Sequence, residues 1–183
     1  RLYTNKTKVE KKALEYGFNQ LQAKEALEYA IVKRVKEVAK SNKPLEERFN
    51  LLAESYKTQP NLSHRSSLST LMQQYSTPAP LAFIASQFVK SQNKDAFYFE
   101  PSAGNGLLTS AWPEKNTVVN ELSSNRLRNL KDQGFYFITN LDASKDFETS
   151  EHSSFYSNIQ FDGIATNPPF RTIEKKIIDD LSF

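Results

Sequence analysis

Through the first sixty residues, apolar positions recur at the spacing of amphipathic helices. Between residues 21 and 38 they fall near one helical face, as in a helix that packs on one side. Pro44 suits the first turn of a following helix, which carries an apolar stripe of its own. We therefore predict a helical N-terminal region over residues 1–60. The apolar positions of its longest stripe are Leu21, Leu27, Ile31, Val35 and Val38.

After residue 60 the pattern changes to short apolar runs that alternate with helical stretches. The runs read "FYFE", "TVVNE", "FYFIT" and "FDGIAT", and polar or small-residue loops follow them. Thr77 and Pro78 provide a cap and a first turn for the helix before the first run. Strands that alternate with helices favour a parallel sheet with right-handed crossovers. We therefore predict an α/β fold over residues 61–183, with about four parallel strands visible.

The composition excludes several classes of protein. The chain has 183 residues, of which 38% are hydrophobic and 25% charged, as in a globular domain with an extension. It has no cysteine, which excludes disulfides and thiolate metal sites, and its two histidines are widely separated, so we expect no metal site. No apolar run approaches the roughly 18 residues of a membrane span, and no signal peptide opens the chain. We expect a cytoplasmic protein without a membrane partner.

Basic charge is concentrated in the N-terminal third of the chain. Residues 1–60 contain 13 Lys and Arg against 8 Asp and Glu, whereas the remainder contains 11 against 13. Two interpretations stay open: a solvated helical face, or a surface that contacts DNA phosphates. The residues that the second interpretation requires are Lys33, Arg34, Lys36 and Lys40.

The loop "EPSAGNG" follows the first predicted strand. It holds Gly104 and Gly106, two of the five glycines in the chain, and small residues let a backbone approach a ligand closely. The first residue of the loop is the acidic Glu100. Its carboxylate would repel a pyrophosphate and suits a cation such as a sulfonium with an amino group. No Lys-Ser/Thr pair follows the glycines, which excludes a P-loop. The alternative is a tight strand-to-helix turn without a ligand.

Two acidic residues end the next two predicted strands. Glu121 lies about twenty residues beyond the glycine loop, where an acidic side chain can accept hydrogen bonds from both hydroxyls of a ribose. Asp142 is a candidate acceptor for an adenine amino group, with Asp146 as the competing choice. The alternative for both is a solvated carboxylate near a helix start or in a loop.

The fourth predicted strand leads into "TNPPF". A residue before proline is driven towards extended conformations, so this segment is expected to be a stiff arm. The arm would aim the Asn167 side-chain oxygen and the Pro168 carbonyl in one direction, and Pro169 has no N–H to compete for that carbonyl. Phe170 offers a flat face. The arrangement suits a planar amino group that donates two hydrogen bonds while its ring stacks on the phenylalanine.

In this order the motifs resemble those of the N6-adenine DNA methyltransferases, in the subgroup whose cofactor motifs precede the NPPF catalytic motif. The Thr-Pro of "YSTPAPLA" is similar to the upstream segment of that subgroup. The resemblance implies a Rossmann-like class I methyltransferase fold with S-adenosyl-L-methionine as cofactor. The cofactor contacts that it implies are Thr77, Pro78, Glu100, Pro101, Ser102, Ala103, Gly104, Gly106, Glu121, Leu122, Asp142 and Ala143. The catalytic residues that it implies are Asn167, Pro168, Pro169 and Phe170.

The resemblance also assigns parts of the ligands to these residues. Thr77 and Pro78 would line the methionine end, and the glycine loop would surround the amino acid and the sulfonium. Leu122 would lie against the adenine ring of the cofactor, whose ribose would bind Glu121. The catalytic motif would hold a target adenine flipped out of double-stranded DNA.

The chain ends soon after the catalytic motif, where the family's sheet continues. We therefore expect an N-terminal fragment of a larger methylase of restriction–modification type, with target-recognition, helicase or restriction domains elsewhere in the polypeptide. The fragment is expected to bind cofactor weakly at best and to be inactive alone. Two alternatives stay open: methylation of an rRNA base or a protein glutamine, and a non-catalytic module that binds DNA or protein.

Overall fold

The N-terminal region is helical, as predicted. The computed structural model describes residues 6–59 and 76–168. The first part forms α1 (Lys6–Glu15), α2 (Gln20–Ala39) and α3 (Leu45–Thr58). A capping box fixes the start of α2, because Asn19 and Gln22 each accept a hydrogen bond from the other's backbone N–H, at 2.8 and 2.9 Å.

The second part alternates strands and helices, which confirms the α/β prediction in its coarse form. Three single turns of 3-10 helix lie in the connections, two between β1 and β2 and one after β3. The remaining elements are α4 (Ala79–Val89), β1 (Tyr98–Glu100), β2 (Thr117–Asn120), α5 (Ser124–Lys131), β3 (Phe137–Thr139), α6 (Ser153–Tyr156) and β4 (Gly163–Ile164).

All four strands are parallel and lie in one sheet in the order β3-β2-β1-β4. Phe99 at the centre of β1 is in register with Val118 on one side and Ile164 on the other. Every residue of β1 and β2 is buried, as expected for parallel strands covered on both faces. Because the strands are parallel, the loops after β1, β2 and β4 leave the same edge of the sheet next to one another.

The helical region and the sheet region share one hydrophobic cluster. Val35, Val38 and Ala39 of α2 pack with Leu52 of α3 and with Phe83 of α4, and each of these side chains is buried. The cluster places α2 against α4, and α2 also contacts the glycine loop through Asn105. The boundary predicted near residue 60 lies at the edge of the residues that the structure describes.

The basic residues of α2 have partners within the chain. Lys36 and Lys40 both form ion pairs with Glu114, at 3.2 and 2.5 Å. Arg34 pairs with Glu37 at 3.1 Å. Burial lowers the pKa of Lys36 to about 8, against the opposing effect of Glu114. Lys36 is therefore not free to contact a DNA phosphate. Instead, Lys36 and Lys40 connect α2 to Glu114 in the sheet region.

No helix within residues 6–59 and 76–168 combines the length and the apolar character needed to cross a bilayer.

Candidate functional site

Glu100, the last residue of β1, is fully buried at the carboxyl edge of the sheet. Its Oε1 accepts a hydrogen bond from the Ser102 amide at 3.0 Å, while Oε2 accepts none within the described residues. Burial raises the pKa of Glu100 to about 8. The Ser102 amide and the nearby Thr166 side chain oppose that rise in part, but Thr166 does not complete a hydrogen bond to Oε2. The site thus holds a buried acceptor without a donor.

The glycine loop and Glu121 lie in contact at the carboxyl edge of the sheet. Glu121 Oε2 accepts from the Gly104 amide at 2.7 Å, and Oε1 accepts from the Ser123 amide at 2.8 Å. Each carboxylate oxygen has two lone pairs, so both oxygens retain capacity for a further donor such as a hydroxyl. Burial raises the pKa of Glu121, against the opposing effects of these amides and Arg126. Its assignment to a ribose stays a prediction.

Two carboxylates of α2 bind the centre of the glycine loop, and the sequence interpretation missed them. The Asn105 side-chain amide donates to Glu25 Oε2 at 2.8 Å and to Glu28 Oε2 at 3.1 Å. Arg126 of α5 donates to the same two oxygens at 3.1 and 3.4 Å. A signal was present, because Glu25 and Glu28 continue the helical spacing that leads to the buried Val32. Acidic residues on an apolar face indicate a buried partner.

Buried carboxyl groups outnumber buried cationic groups around this loop. Within the described residues, three buried carboxyl groups act on the buried guanidinium of Arg126, and a fourth, that of Glu100, interacts with one of the three. Lys24 adds a second, partly exposed cation, with its Nζ 3.8 Å from Glu28 Oε1. The imbalance favours a cationic ligand over a phosphate. The carboxylates are Glu25, Glu28, Glu100 and Glu121.

Thr77 reaches the predicted catalytic motif. The Asn167 side-chain amide donates to Thr77 Oγ1 at 3.0 Å, across 90 residues of sequence. The expectation that Thr77 caps the next helix is therefore wrong: α4 begins at Ala79 with Pro78 as its N-cap, and no side chain caps it. With its amide nitrogen held, Asn167 keeps Oδ1 free of hydrogen bonds within the described residues.

The loop after β3 distinguishes the two candidate aspartates. Asp146 Oδ1 accepts from the Glu148 amide at 2.9 Å and caps a 3-10 turn. Asp142 Oδ1 accepts from the Ser144 amide and hydroxyl, whereas its buried Oδ2 accepts no hydrogen bond among the described residues. Asp142 is thus the better placed acceptor of the two. Asn140 joins its loop to Glu121, whose carbonyl accepts from the Asn140 amide at 2.6 Å.

Most of the remaining predicted site residues lie within the described part of the chain, and two do not. Ala103 is buried within the glycine loop, Pro101 and Ser102 are half-buried in the same loop, and Leu122 is half-buried next to Glu121. Pro78, Ala143 and Pro168 lie in the described loops, the last two being exposed. Pro169 and Phe170 fall outside the described residues, so the aromatic half of the predicted adenine pocket is not placed.

Comparisons with protein-family models, with curated proteins and with solved structures find no match to this chain. The chemical interpretation therefore depends on the geometry. That geometry brings together an uncompensated Glu100, a glycine loop and a polar loop that ends in Asn167. The adjacency of β1 and β4 produces this arrangement.

The glycine loop should tolerate a side chain at Gly106 less well than an open turn does. Gly106 has φ 88°, and an added Cβ would lie 3.2 Å from Gln133 Oε1 and 3.3 Å from Leu130 Cδ2. Gly134 has a similar φ of 74° but nothing within 4 Å of the added Cβ. We expect Gly106→Ala to lower the free energy of unfolding by about 2–3 kcal/mol and Gly134→Ala by about 1–2 kcal/mol. Urea unfolding measures both, and equal losses would show that the loop relaxes without cost.

Proposed function

We propose that this chain is part of an S-adenosylmethionine-dependent methyltransferase with a Rossmann-like sheet, and that it transfers methyl groups to the N6 amino group of adenine in DNA. The observation that carries the proposal is the adjacency of β1 and β4. It sets the loop of Glu100 beside the loop of Asn167, which Thr77 contacts from a third segment. In doubly wound sheets, ligands bind at this edge, beyond the carboxyl ends of the strands.

The cofactor side is supported by charge and by unused acceptors. Glu100 has a buried oxygen without a donor, which suits the ammonium group of a methionine moiety. Glu121 retains lone pairs for the two ribose hydroxyls, and Asp142 retains a buried oxygen for the adenine amino group. The Gly104 backbone lets a ligand approach without contact with a side chain. Bound there, S-adenosylmethionine would supply an electrophilic methyl group.

The acceptor side is supported by the orientation of Asn167. The lone pair of an exocyclic amine is delocalised into its ring, so the amine is a poor nucleophile. The free Asn167 Oδ1 and the Pro168 carbonyl would accept its two hydrogens, which favours a pyramidal nitrogen with its lone pair directed at the methyl group. The nitrogen would then bond to the methyl carbon as the sulfur–carbon bond breaks, S-adenosylhomocysteine would leave, and the alkylated nitrogen would lose one proton to solvent water. Correct positioning of the two reactants supplies much of the rate.

Cofactor binding tests the first half of the proposal. We expect weak but saturable binding of S-adenosylmethionine to the 183-residue chain by isothermal titration calorimetry, and none of ATP, whose phosphates the buried carboxyl groups disfavour. Failure of a longer protein containing this chain to bind S-adenosylmethionine would instead favour a non-catalytic module.

Acceptor choice tests the second half. The full-length protein would be assayed for tritiated methyl transfer to duplex DNA, ribosomal RNA and a glutamine-containing protein substrate. We expect transfer to DNA alone, and none when purines that lack the exocyclic amine replace adenine. Transfer to RNA or protein would reassign the acceptor while leaving the cofactor unchanged. The isolated chain is expected to be inactive, and methyl transfer by it would contradict that expectation.

A further inference from the structure

One oxygen of Glu28 joins three segments that are far apart in the sequence. Its Oε2 accepts from the Ser76 hydroxyl at 2.7 Å, from the Asn105 side-chain amide at 3.1 Å and from Arg126 Nη2 at 3.4 Å. Glu28 is only 6% exposed, so these donors replace water around the carboxylate. Loss of a donor would leave the buried carboxylate partly unsatisfied, which costs free energy. The three donors are therefore held in place around it.

The same oxygen lies between the two halves of the proposed site. On one side, Asn105 stands between the two glycines of the cofactor loop. On the other side, Ser76 precedes Thr77, whose hydroxyl accepts from the Asn167 amide. A short path of hydrogen bonds and one peptide link therefore connects the cofactor loop to Asn167 through Glu28.

We propose that Glu28 is a positioning residue that sets the cofactor loop and the Thr77–Asn167 pair at the distance needed for methyl transfer. The inference rests on the proposed function and extends it, because it makes α2 a working part of the site. A carboxylate suits the position best. All three partners are donors to one oxygen, and an amide at residue 28 could keep its oxygen there only by turning its NH2 group towards Lys24, whose Nζ lies 3.8 Å from Oε1, and by giving up the charge that pairs with Arg126.

Two variants separate this role from simple support of the fold. Glu28→Gln disturbs both halves of the site, whereas Ser76→Ala removes only the link towards Thr77 and Asn167. Glu37→Gln is the matched control, because Glu37 is an exposed glutamate on the same helix. In the ligand-free chain, the side-chain amide signals of Asn105 and Asn167 are followed by nitrogen-15 NMR. We expect Glu28→Gln to shift both signals, Ser76→Ala to shift that of Asn167 alone, and Glu37→Gln to shift neither.

Kinetics of the full-length protein provide the second measurement. We expect Glu28→Gln to raise the KM for S-adenosylmethionine and to lower kcat, each by about tenfold. Ser76→Ala should lower kcat alone, by a smaller factor. The proposal would be overturned if Ser76→Ala changed neither the Asn167 amide signal nor kcat. It would also be overturned if Glu28→Gln shifted the amide signal of Asn105 alone. If the unaltered protein binds no S-adenosylmethionine, the proposed function fails, yet the NMR comparison still decides whether Glu28 connects the two segments.

Discussion

Glu100→Gln is expected to weaken cofactor binding strongly while making the empty protein more stable at alkaline pH. Glu100 is fully buried, and burial raises its pKa from about 4.5 to about 8. The folded chain therefore binds this proton more tightly than the unfolded chain does. The free energy of unfolding of the unaltered protein must then fall as pH rises between these two values, and the deficit persists above them.

The stability comparison follows from that sign. Below about pH 4.5, Glu100 and its Gln replacement are both neutral, and they differ only by the second N–H donor of the amide, so the two proteins should differ least in stability there. Near pH 9 the variant should be more stable by about 2–5 kcal/mol, since each unit of pKa shift corresponds to about 1.4 kcal/mol. Urea unfolding at the two ends of the range measures the difference. Glu54→Gln, at an exposed position of α3, is the control that should show none.

The binding comparison runs in the opposite direction. A cationic cofactor requires the charged form of Glu100, so its affinity should rise by up to tenfold per pH unit until about pH 8. Glu100→Gln should bind at least about 100-fold more weakly at that pH, because a buried charged partner is lost. The cofactor's own ionisation is common to both proteins and cancels in the comparison. The same pH dependence in the variant would remove Glu100 from the cofactor site.

Arg126→Met is expected to cause the largest loss of stability of any single substitution proposed for this chain. Arg126 is the buried counter-ion of Glu25 and Glu28, at 3.1 and 3.4 Å, and its charge also lowers the pKa of Glu121. Without it, these carboxylates are buried without compensation, which costs about 3–5 kcal/mol. Arg128→Met is the matched control, because Arg128 lies on the exposed side of the same helix.

The pH dependence of that loss identifies its cause. Burial and the neighbouring Glu25 raise the pKa of Glu28, whereas Arg126 lowers it. Removing Arg126 must raise this pKa further, so more of the stability is lost as pH rises, and the penalty should be greater near pH 8 than near pH 5. Replacing Glu25 and Glu28 with Gln in the same chain should recover part of the loss. If Arg126→Met lowered the free energy of unfolding no more than Arg128→Met does, the carboxylates of Glu25 and Glu28 would have become hydrated in the variant.

Local patterns in the sequence were sufficient for the elements and for some of the site. Glu100 and Glu121 follow apolar runs directly, so their place at the carboxyl edge of a parallel sheet could be predicted before the structure. The start of α2 could be predicted because a capping box acts within four residues. Such features depend on neighbours in the chain, which a sequence displays.

The contacts that complete the site depend on partners far along the chain. Thr77 was expected to cap α4, but its hydroxyl meets Asn167, 90 residues away. Glu25 meets Arg126 across 101 residues. Helical spacing shows which face of α2 is buried, but the spacing alone does not show that a guanidinium packs against that face. Burial of a carboxylate is a property of the assembled fold.

The single tryptophan of the chain gives these experiments a built-in optical reporter. Trp112 is buried, stacks on Tyr98 at 4.9 Å between ring centroids, and donates through Nε1 to the Ser86 carbonyl of α4. Its indole fluorescence therefore reports whether α4 remains seated against β1. A red shift in emission would mark water reaching this junction, from one fluorophore whose location is known.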